Sequence, residues 1–221
     1  MKLRAPASAV ALAVAVTLLT GCGSSDDGPD RITGAKDSTA ESDDSPSTSP
    51  SPAADGDADA DAPEFDFPED VEVEVESEPT GDGTEDAILR DHGYAVQSIR
   101  LGYAKQDPRL DVLEKYLGGN ALQGWRAGIA EFVADGKTVT GTVRYYDREV
   151  TSQKGGVATV EYCEDQTNSY AKIADSGKVL KTGPGPDDFI RHVSTMRKTA
   201  DGRWQMVHES DEQGAAQCRT S

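Results

Sequence analysis

The later part of the sequence predicts an α+β fold, in which helices come first along the chain and strands follow them. Two observations support this prediction. Apolar residues recur at three-and-four spacing from about residue 85 until Asp135 and Gly136, and beyond that point they alternate with polar residues at a period of two. Helices that precede strands favour an antiparallel sheet with the helices packed on one face.

Three helices are predicted. The first begins near Thr84, whose hydroxyl can cap a helix and which two acids follow. The second has Asp107 as its cap and Pro108 as its first residue, and the third is capped by Asn120 and ends at Asp135. Their apolar faces comprise Ile88, Leu89, Ala95, Val96, Ile99, Gly102 and Tyr103 in the first, Leu110, Leu113 and Leu117 in the second, and Leu122, Trp125, Ile129 and Phe132 in the third.

The change to a period of two predicts strands in the rest of the domain. They are expected at residues 138–145, 157–163, 169–173, 189–199 and 204–209, with a loop at residues 175–186. Ala200, Asp201 and Gly202 separate the last two runs and predict a hairpin, because Asp and Gly tolerate a positive φ.

Charge is distributed unevenly over the 221 residues. Residues 23–83 hold 20 of the 40 acidic side chains and only Arg31 and Lys36 as bases, whereas residues 84–221 hold 20 acids and 18 bases. The chain therefore offers no basic surface of the kind that binds nucleic acid. The predicted divisions are a signal peptide (1–21), a disordered acidic tether rich in Ser, Pro and Asp (22–84) and a folded domain (85–221).

One stretch of the tether has a pattern of its own. Val71, Val73 and Val75 alternate with acidic residues at the period of a strand. The valines could dock on a sheet edge, or the stretch could be an extended acidic tail with incidental valines, and the sequence leaves both interpretations open.

The first 22 residues resemble the leader of bacterial lipobox prolipoproteins. Lys2 and Arg4 form a basic start, an apolar run follows, and Leu19, Thr20, Gly21 and Cys22 match the lipobox. The resemblance implies that Cys22 carries lipid and anchors the protein to the outer face of the cell membrane. The alternatives are an ordinary secretory signal with an incidental Cys22, or an uncleaved membrane helix, against which the short apolar run argues.

From Glu85 to Cys218 the order of elements resembles the nuclear transport factor-like or SnoaL-like cone, found in many secreted actinobacterial lipoproteins. The residues that carry the resemblance are Asp107, Pro108, Tyr116, Gly119 and Leu122 around the short helices, Tyr162, Cys163, Glu164 and Asp165 on a strand, and Trp204 on the last strand. The resemblance implies helices packed on a curved sheet. It also implies a pocket, which in the enzymes of this family holds an acid paired with His or Tyr.

Few residues of the sequence indicate a chemical role. Cys163 and Cys218 are expected to form a disulfide in an oxidising compartment, with a reactive Cys163 thiol as the rival interpretation. His92, His192 and His208 lack metal-ligand spacing and are expected at surface or partly buried positions, with His192 and His208 possible neighbours across the last hairpin. Neither a cofactor motif nor a catalytic constellation is predicted. The residues that could line a pocket, or simply form the core, are Tyr103, Trp125, Tyr145, Tyr162 and Trp204.

The sequence favours a lipid-anchored, non-enzymatic binding or interaction module of the cell envelope. Its expected partners are the membrane, through the lipid on Cys22, and an envelope protein or small apolar ligand of unknown identity. The first alternative is a cone-fold enzyme of the dehydratase or isomerase type, which requires a cavity with a buried carboxylate beside His or Tyr. The second is a scaffold that recruits a partner of an envelope complex by strand addition.

Overall fold

A computed structural model describes residues 62–219. The predictions on the signal peptide, on Cys22 and on the tether as far as residue 61 lie outside these residues. The helices are α1 (Gly83–Lys105), α2 (Asp111–Tyr116) and α3 (Gly119–Ala134). The strands are β1 (Val71–Val75), β2 (Lys137–Lys154), β3 (Val157–Ile173), β4 (Val179–Leu180), β5 (Phe189–Lys198) and β6 (Trp204–Gln213). Short 3-10 turns cover Pro186–Asp188 and Ala216–Arg219.

The three predicted helices are present, although their starts differ from the predictions. The Asp82 carboxylate, rather than the Thr84 hydroxyl, caps α1 by accepting bonds from the N–H groups of Thr84 and Glu85. Asp107 instead closes a turn by accepting from the Arg109 N–H, and α2 begins after it. Gly118, and not Asn120, is the residue that precedes α3.

The strands form one sheet in the order β1-β2-β3-β5-β6, with β4 paired to the far end of β3. Every pair is antiparallel except β1 with β2, which is parallel. Strand β3 is longer than expected, because residues 157–163 and 169–173 belong to a single strand. The α+β class with helices packed on a curved sheet is confirmed.

The alternating valines form strand β1 at the edge of the sheet, so the first of their two interpretations is correct. The strand pairs with residues 141–145 of β2, and Val71 is buried against the sheet. The neighbouring carboxylates also have partners: Asp70 pairs with Lys172, and Glu76 pairs with Arg144. Residues 71–75, assigned to the tether, therefore belong to the folded domain, since their valines bury apolar surface that a free tail would leave in water.

The sheet bends at irregularities in the pairing of β2 with β3. The register shifts between Thr142 and Arg144 and again between Tyr146 and Glu149. Gly141 lies beside the first shift with a φ of +86°, and a Cβ there would come within 2.0 Å of the Asn168 carbonyl oxygen. Such bulges increase the local twist and bend a strand, so the sheet curves around the helices.

The core lies between the helices and the concave face of the sheet. Its fully buried members include Ile88 and Val96 of α1, Ile129 of α3 and Val160 of β3. Trp204, predicted as a possible pocket residue, belongs to this core. Its side chain is 1% exposed, and its backbone N–H donates to the buried Asp91 carboxylate at 2.7 Å.

A smaller apolar cluster lies on the other face of the sheet. Tyr146 and Cys163 alternate along their strands with the inward-facing Tyr145 and Tyr162, and they pack with the turn at Ala216–Arg219. Cys163 and Cys218 form the predicted disulfide here, with a Cα–Cα distance of 5.5 Å. The bond fixes the last turn of the chain to the middle of β3.

Candidate functional site

A cavity of about 460 Å³ lies between α1, α3 and the concave face of β2, β3 and β5. Four of the five aromatic residues expected at a pocket line it: Tyr103, Trp125, Tyr145 and Tyr162. Trp204 does not, because it is enclosed in the core. The remaining apolar lining consists of Val96, Ile99, Phe132, Val139, Ala171 and Ile190. The volume falls within the range of small-molecule sites, which are mostly apolar with a few polar groups.

The polar lining begins with an acid and a histidine on neighbouring strands. Glu164 on β3 and His192 on β5 are 8% and 4% exposed, and His192 Nε2 lies 2.9 Å from a carboxylate oxygen of Glu164. Gln166 donates a second bond to that carboxylate at 2.9 Å. The pair follows from the sheet register, since Tyr162 is opposite His192 and Glu164 is one inward-facing position further along β3.

A second buried carboxylate lies near the same imidazole. Glu209 on β6 accepts bonds from the Trp125 indole N–H at 3.1 Å, the Tyr162 hydroxyl at 2.5 Å and the Ser194 hydroxyl at 2.8 Å. One of its oxygens lies 3.9 Å from His192 Nδ1, which has no hydrogen-bond partner. Glu209 therefore links α3, β3, β5 and β6 through one hydrogen-bond network.

These acids determine the charge of His192. Burial lowers the pKa of His192, but the hydrogen bond to Glu164 and the charges of Glu209, Glu164 and Asp211 raise it by more, so the net pKa lies above the ordinary value. A protonated His192 neutralises part of the negative charge at this end of the cavity.

Arg100 on α1 brings a cation to the cavity wall. The residue is 8% exposed, and its Nη2 donates to the Ser169 hydroxyl. Its Nε is buried without a hydrogen-bond partner. Burial lowers the pKa of Arg100, and the charge of Glu164 opposes this effect.

A second buried histidine lies behind the cavity wall. His92 on α1 is fully buried, and its ring meets Tyr162 edge-on with 4.6 Å between centroids. Its Nδ1 lies 3.2 Å from a guanidinium nitrogen of Arg148, while its Nε2 has no partner. Burial, then the charges of Arg148 and His192, hold the pKa of His92 well below its ordinary value, which keeps the ring neutral.

The tyrosines of the wall stay protonated. Burial, followed by the charge of Glu164, raises the pKa of Tyr145 well above its ordinary value. Burial, then the charge and hydrogen bond of Glu209, does the same to the pKa of Tyr162. Both phenols are therefore hydrogen-bond donors across the physiological pH range.

The histidines are where sequence reasoning departed most from the structure. His92 and His192 are buried rather than at the surface, and only His208 is exposed. His208 faces Thr195 across the hairpin and His192 faces Asp211, so the two histidines are not direct neighbours. The Glu164–His192 pair was not predicted, because a pairing between strands 28 residues apart depends on a register that the sequence does not display.

A second cavity of about 640 Å³ lies between residues 75–79, α1 and Arg148. Ser77, Glu78 and Pro79 on its rim are exposed. Arg148 donates hydrogen bonds to the carbonyl oxygens of Glu76 and Leu89.

Among residues 62–219 we find no group of three His, Cys, Asp or Glu side chains that could hold a metal ion. No helix in that range is both long and apolar enough to span a bilayer.

Comparison with known proteins gave matches only among solved structures. No protein-family model and no curated protein match the chain. A ketosteroid isomerase-like protein from Erwinia carotovora atroseptica is 14% identical, with a TM-score of 0.41, and the match covers 60% of this chain and 97% of that chain. The intermembrane-space region of the chloroplast protein ARC6 is 16% identical, with a TM-score of 0.40, over 56% of this chain and 92% of that chain.

Proposed function

We propose that the domain binds a small, largely apolar molecule in the cavity of about 460 Å³. The observation that carries the proposal is the composition of the wall, in which aromatic and aliphatic side chains surround a few buried polar groups. Apolar walls supply the affinity of such sites, and the polar groups set the orientation of the ligand.

Ligand-induced stabilisation tests the proposal without knowledge of the natural ligand. We expect neutral aromatic probes such as naphthamide to raise the melting temperature of the full chain. Ala171→Phe would place a ring in the cavity and abolish this effect, whereas Ala130→Phe adds the same ring on the exposed side of α3 and should leave it intact. Equal responses of the two variants would place the probe elsewhere and refute the proposal.

The second candidate function is a proton-transfer enzyme of the dehydratase or isomerase type. It is favoured by the Glu164–His192 pair, because this function requires a buried carboxylate beside His or Tyr in an open cavity. The two functions differ in one measurement, the exchange of the acidic C–H protons of a bound ketone such as tetralone with deuterated water. Exchange that Glu164→Gln abolishes while tetralone still binds would establish the enzyme, and binding without catalysed exchange would leave the binding module.

We also propose that Cys22 carries lipid and holds the domain at the outer face of the cell membrane. The support is the basic start, the apolar run and the lipobox-like residues from Leu19 to Cys22. The test is fractionation together with the mass of the mature N-terminus. We expect the native protein in washed membranes and Cys22→Ser in the soluble fraction, and an unmodified thiol at Cys22 would contradict the anchor.

A further inference from the structure

We infer that the ligand of this cavity carries a carboxylate and that Arg100 is the residue that binds it. The inference rests on the proposed small-molecule binding and specifies the chemical class of the ligand. It follows from the partners of Arg100, from the state of the other charged groups in the cavity and from the shape of the wall around them.

Arg100 is a buried cation that lacks an anion. Within residues 62–219, no carboxylate oxygen lies within 4.0 Å of its guanidinium nitrogens, and its bonds within the protein are limited to the neutral hydroxyl of Ser169. Its Nε is buried without a partner. An uncompensated charge in the interior is destabilising, so a position of this kind is more consistent with a binding site than with a contribution to folding.

The nearby carboxylate, that of Glu164, already has hydrogen-bond partners within the protein. Its two partners are His192 and Gln166. The charge of Glu164 acts on Arg100 without a hydrogen bond between them, so the guanidinium keeps donors for an incoming carboxylate.

Arg148, whose Nε is likewise buried without a partner, differs from Arg100 in what its terminal nitrogens bond. Arg148 donates to the carbonyl oxygens of Glu76 and Leu89 and so joins β1, β2 and α1. Arg100 joins no backbone carbonyl. A guanidinium presents its donors in a planar fork that matches a carboxylate, and Tyr103, Trp125 and Phe132 offer a surface for the apolar body of such a ligand.

Two probes of the same shape separate charge recognition from apolar binding: naphthoate, which has a carboxylate, and naphthamide, which is neutral. We expect the full chain to bind naphthoate more tightly than naphthamide by calorimetry. Arg100→Met should weaken naphthoate binding on the order of 10- to 100-fold and weaken naphthamide binding by a smaller factor, so that the preference for naphthoate is lost. Arg126→Met removes the same charge from the outer side of α3 and should alter neither affinity.

The outcomes distinguish the inference from the proposed function. If Arg100→Met retains the wild-type preference for naphthoate, the carboxylate assignment is wrong although the cavity binds small molecules. If neither probe binds wild type, the proposed function fails, and the inference with it. Two further readouts exclude a purely structural role: Arg100→Met without ligand should melt no lower than wild type, and Arg100→Lys should restore part of the preference for naphthoate.

Discussion

The two buried histidines contact the same tyrosine but lie in opposite electrostatic surroundings. His92 meets the ring of Tyr162 edge-on and lies against Arg148, whereas His192 stacks on that ring and lies between Glu164 and Glu209. Both rings are 4.6 Å from the tyrosine ring centroid. The pKa of His92 is lowered by burial and by the charge of Arg148, and that of His192 is raised by the acids despite burial.

This difference divides the interior of the cone into two regions. The region around His92 is packed and joins elements of the fold through arginine and backbone carbonyls. The region around His192 opens on the cavity and concentrates acids, a cation and an amide on one wall. Because burial is similar in both, the neighbouring charges account for the opposite directions of the two pKa shifts.

Replacing Arg148 in the packed region around His92 should have the largest effect on the free energy of unfolding. Arg148→Met leaves the carbonyls of Leu89 and Glu76 without their donor, so we expect a loss of about 2 to 4 kcal/mol in the free energy of unfolding. Arg144→Met is the matched control, since Arg144 bonds the exposed Glu76 carboxylate and should lose about 1 kcal/mol or less. Denaturant unfolding measures both, and equal losses would show that Arg148 contributes no more to stability than an exposed ion pair does.

Replacing His192, which lies between two acids, should have the next largest effect on the free energy of unfolding. His192→Leu removes the imidazole that bonds Glu164 and lies 3.9 Å from Glu209, and we expect a loss of about 2 kcal/mol in the free energy of unfolding. Adding Glu164→Gln should restore part of it, with a coupling of about 1 kcal/mol in a double-mutant cycle. Arg191→Leu, beside it on β5 and paired with the half-buried Glu161, is the control with a smaller expected loss. Additive losses in the cycle would mean that the two side chains do not interact.

Replacing Tyr162, the tyrosine between the two histidines, should have a moderate effect on the free energy of unfolding. Tyr162→Phe keeps the ring against His92 and His192 and removes only the hydroxyl that donates to Glu209, so we expect a loss of about 1 kcal/mol. Tyr170→Phe removes a hydroxyl that bonds the Thr167 carbonyl at the cavity rim and should lose less. If the order is reversed, the Glu209 network contributes less to stability than the geometry indicates.

The smallest effect is the pH dependence of the two histidines, which has opposite signs. His192 has a folded pKa above its ordinary value of about 6.5, so its contribution to stability is complete below that pH and is lost as pH rises through the raised pKa. His92 has a folded pKa well below about 6.5, so its contribution is present above that pH and is lost as pH falls. NMR titration should show His192 protonating at a higher pH than His92.

Two variants sharpen this titration. Glu164→Gln removes the hydrogen-bonded charge and should lower the midpoint of His192, and Arg148→Met should raise the midpoint of His92. Midpoints that do not move in either variant would show that burial alone sets both protonation states.

The sequence predicts the secondary structure well because most positions follow a simple period. The apolar stripe of α1 even contains the signal for its buried polar residues, since His92 follows Ile88 by four positions and Arg100 follows Val96 by four. Residue type nevertheless favours a surface position for both side chains. The polar residues 165–168 similarly suggested an end to the strand, although they continue β3 along the cavity wall.

What the sequence does not predict is the pairing between distant strands. The contact of Glu164 with His192 depends on the register of β3 with β5, which a long connection joins instead of a tight turn. The contact of Glu209 with Trp125 depends on how α3 packs against β6. The position of Trp204 shows the same limit. Its spacing fits a pocket or a core equally well, and the hydrogen bond from its backbone to Asp91 places it in the core.

Strand β1 has a mechanical consequence for whatever lies before it in the chain. Tension that enters the domain from that side reaches β1 before it reaches α1, and β1 is joined to β2 over five registered residue pairs. A pull along the strand axis would load those pairs together in shear instead of opening them one after another. The edge strand therefore shields the helix that carries Arg100 and His92 from forces on the preceding segment.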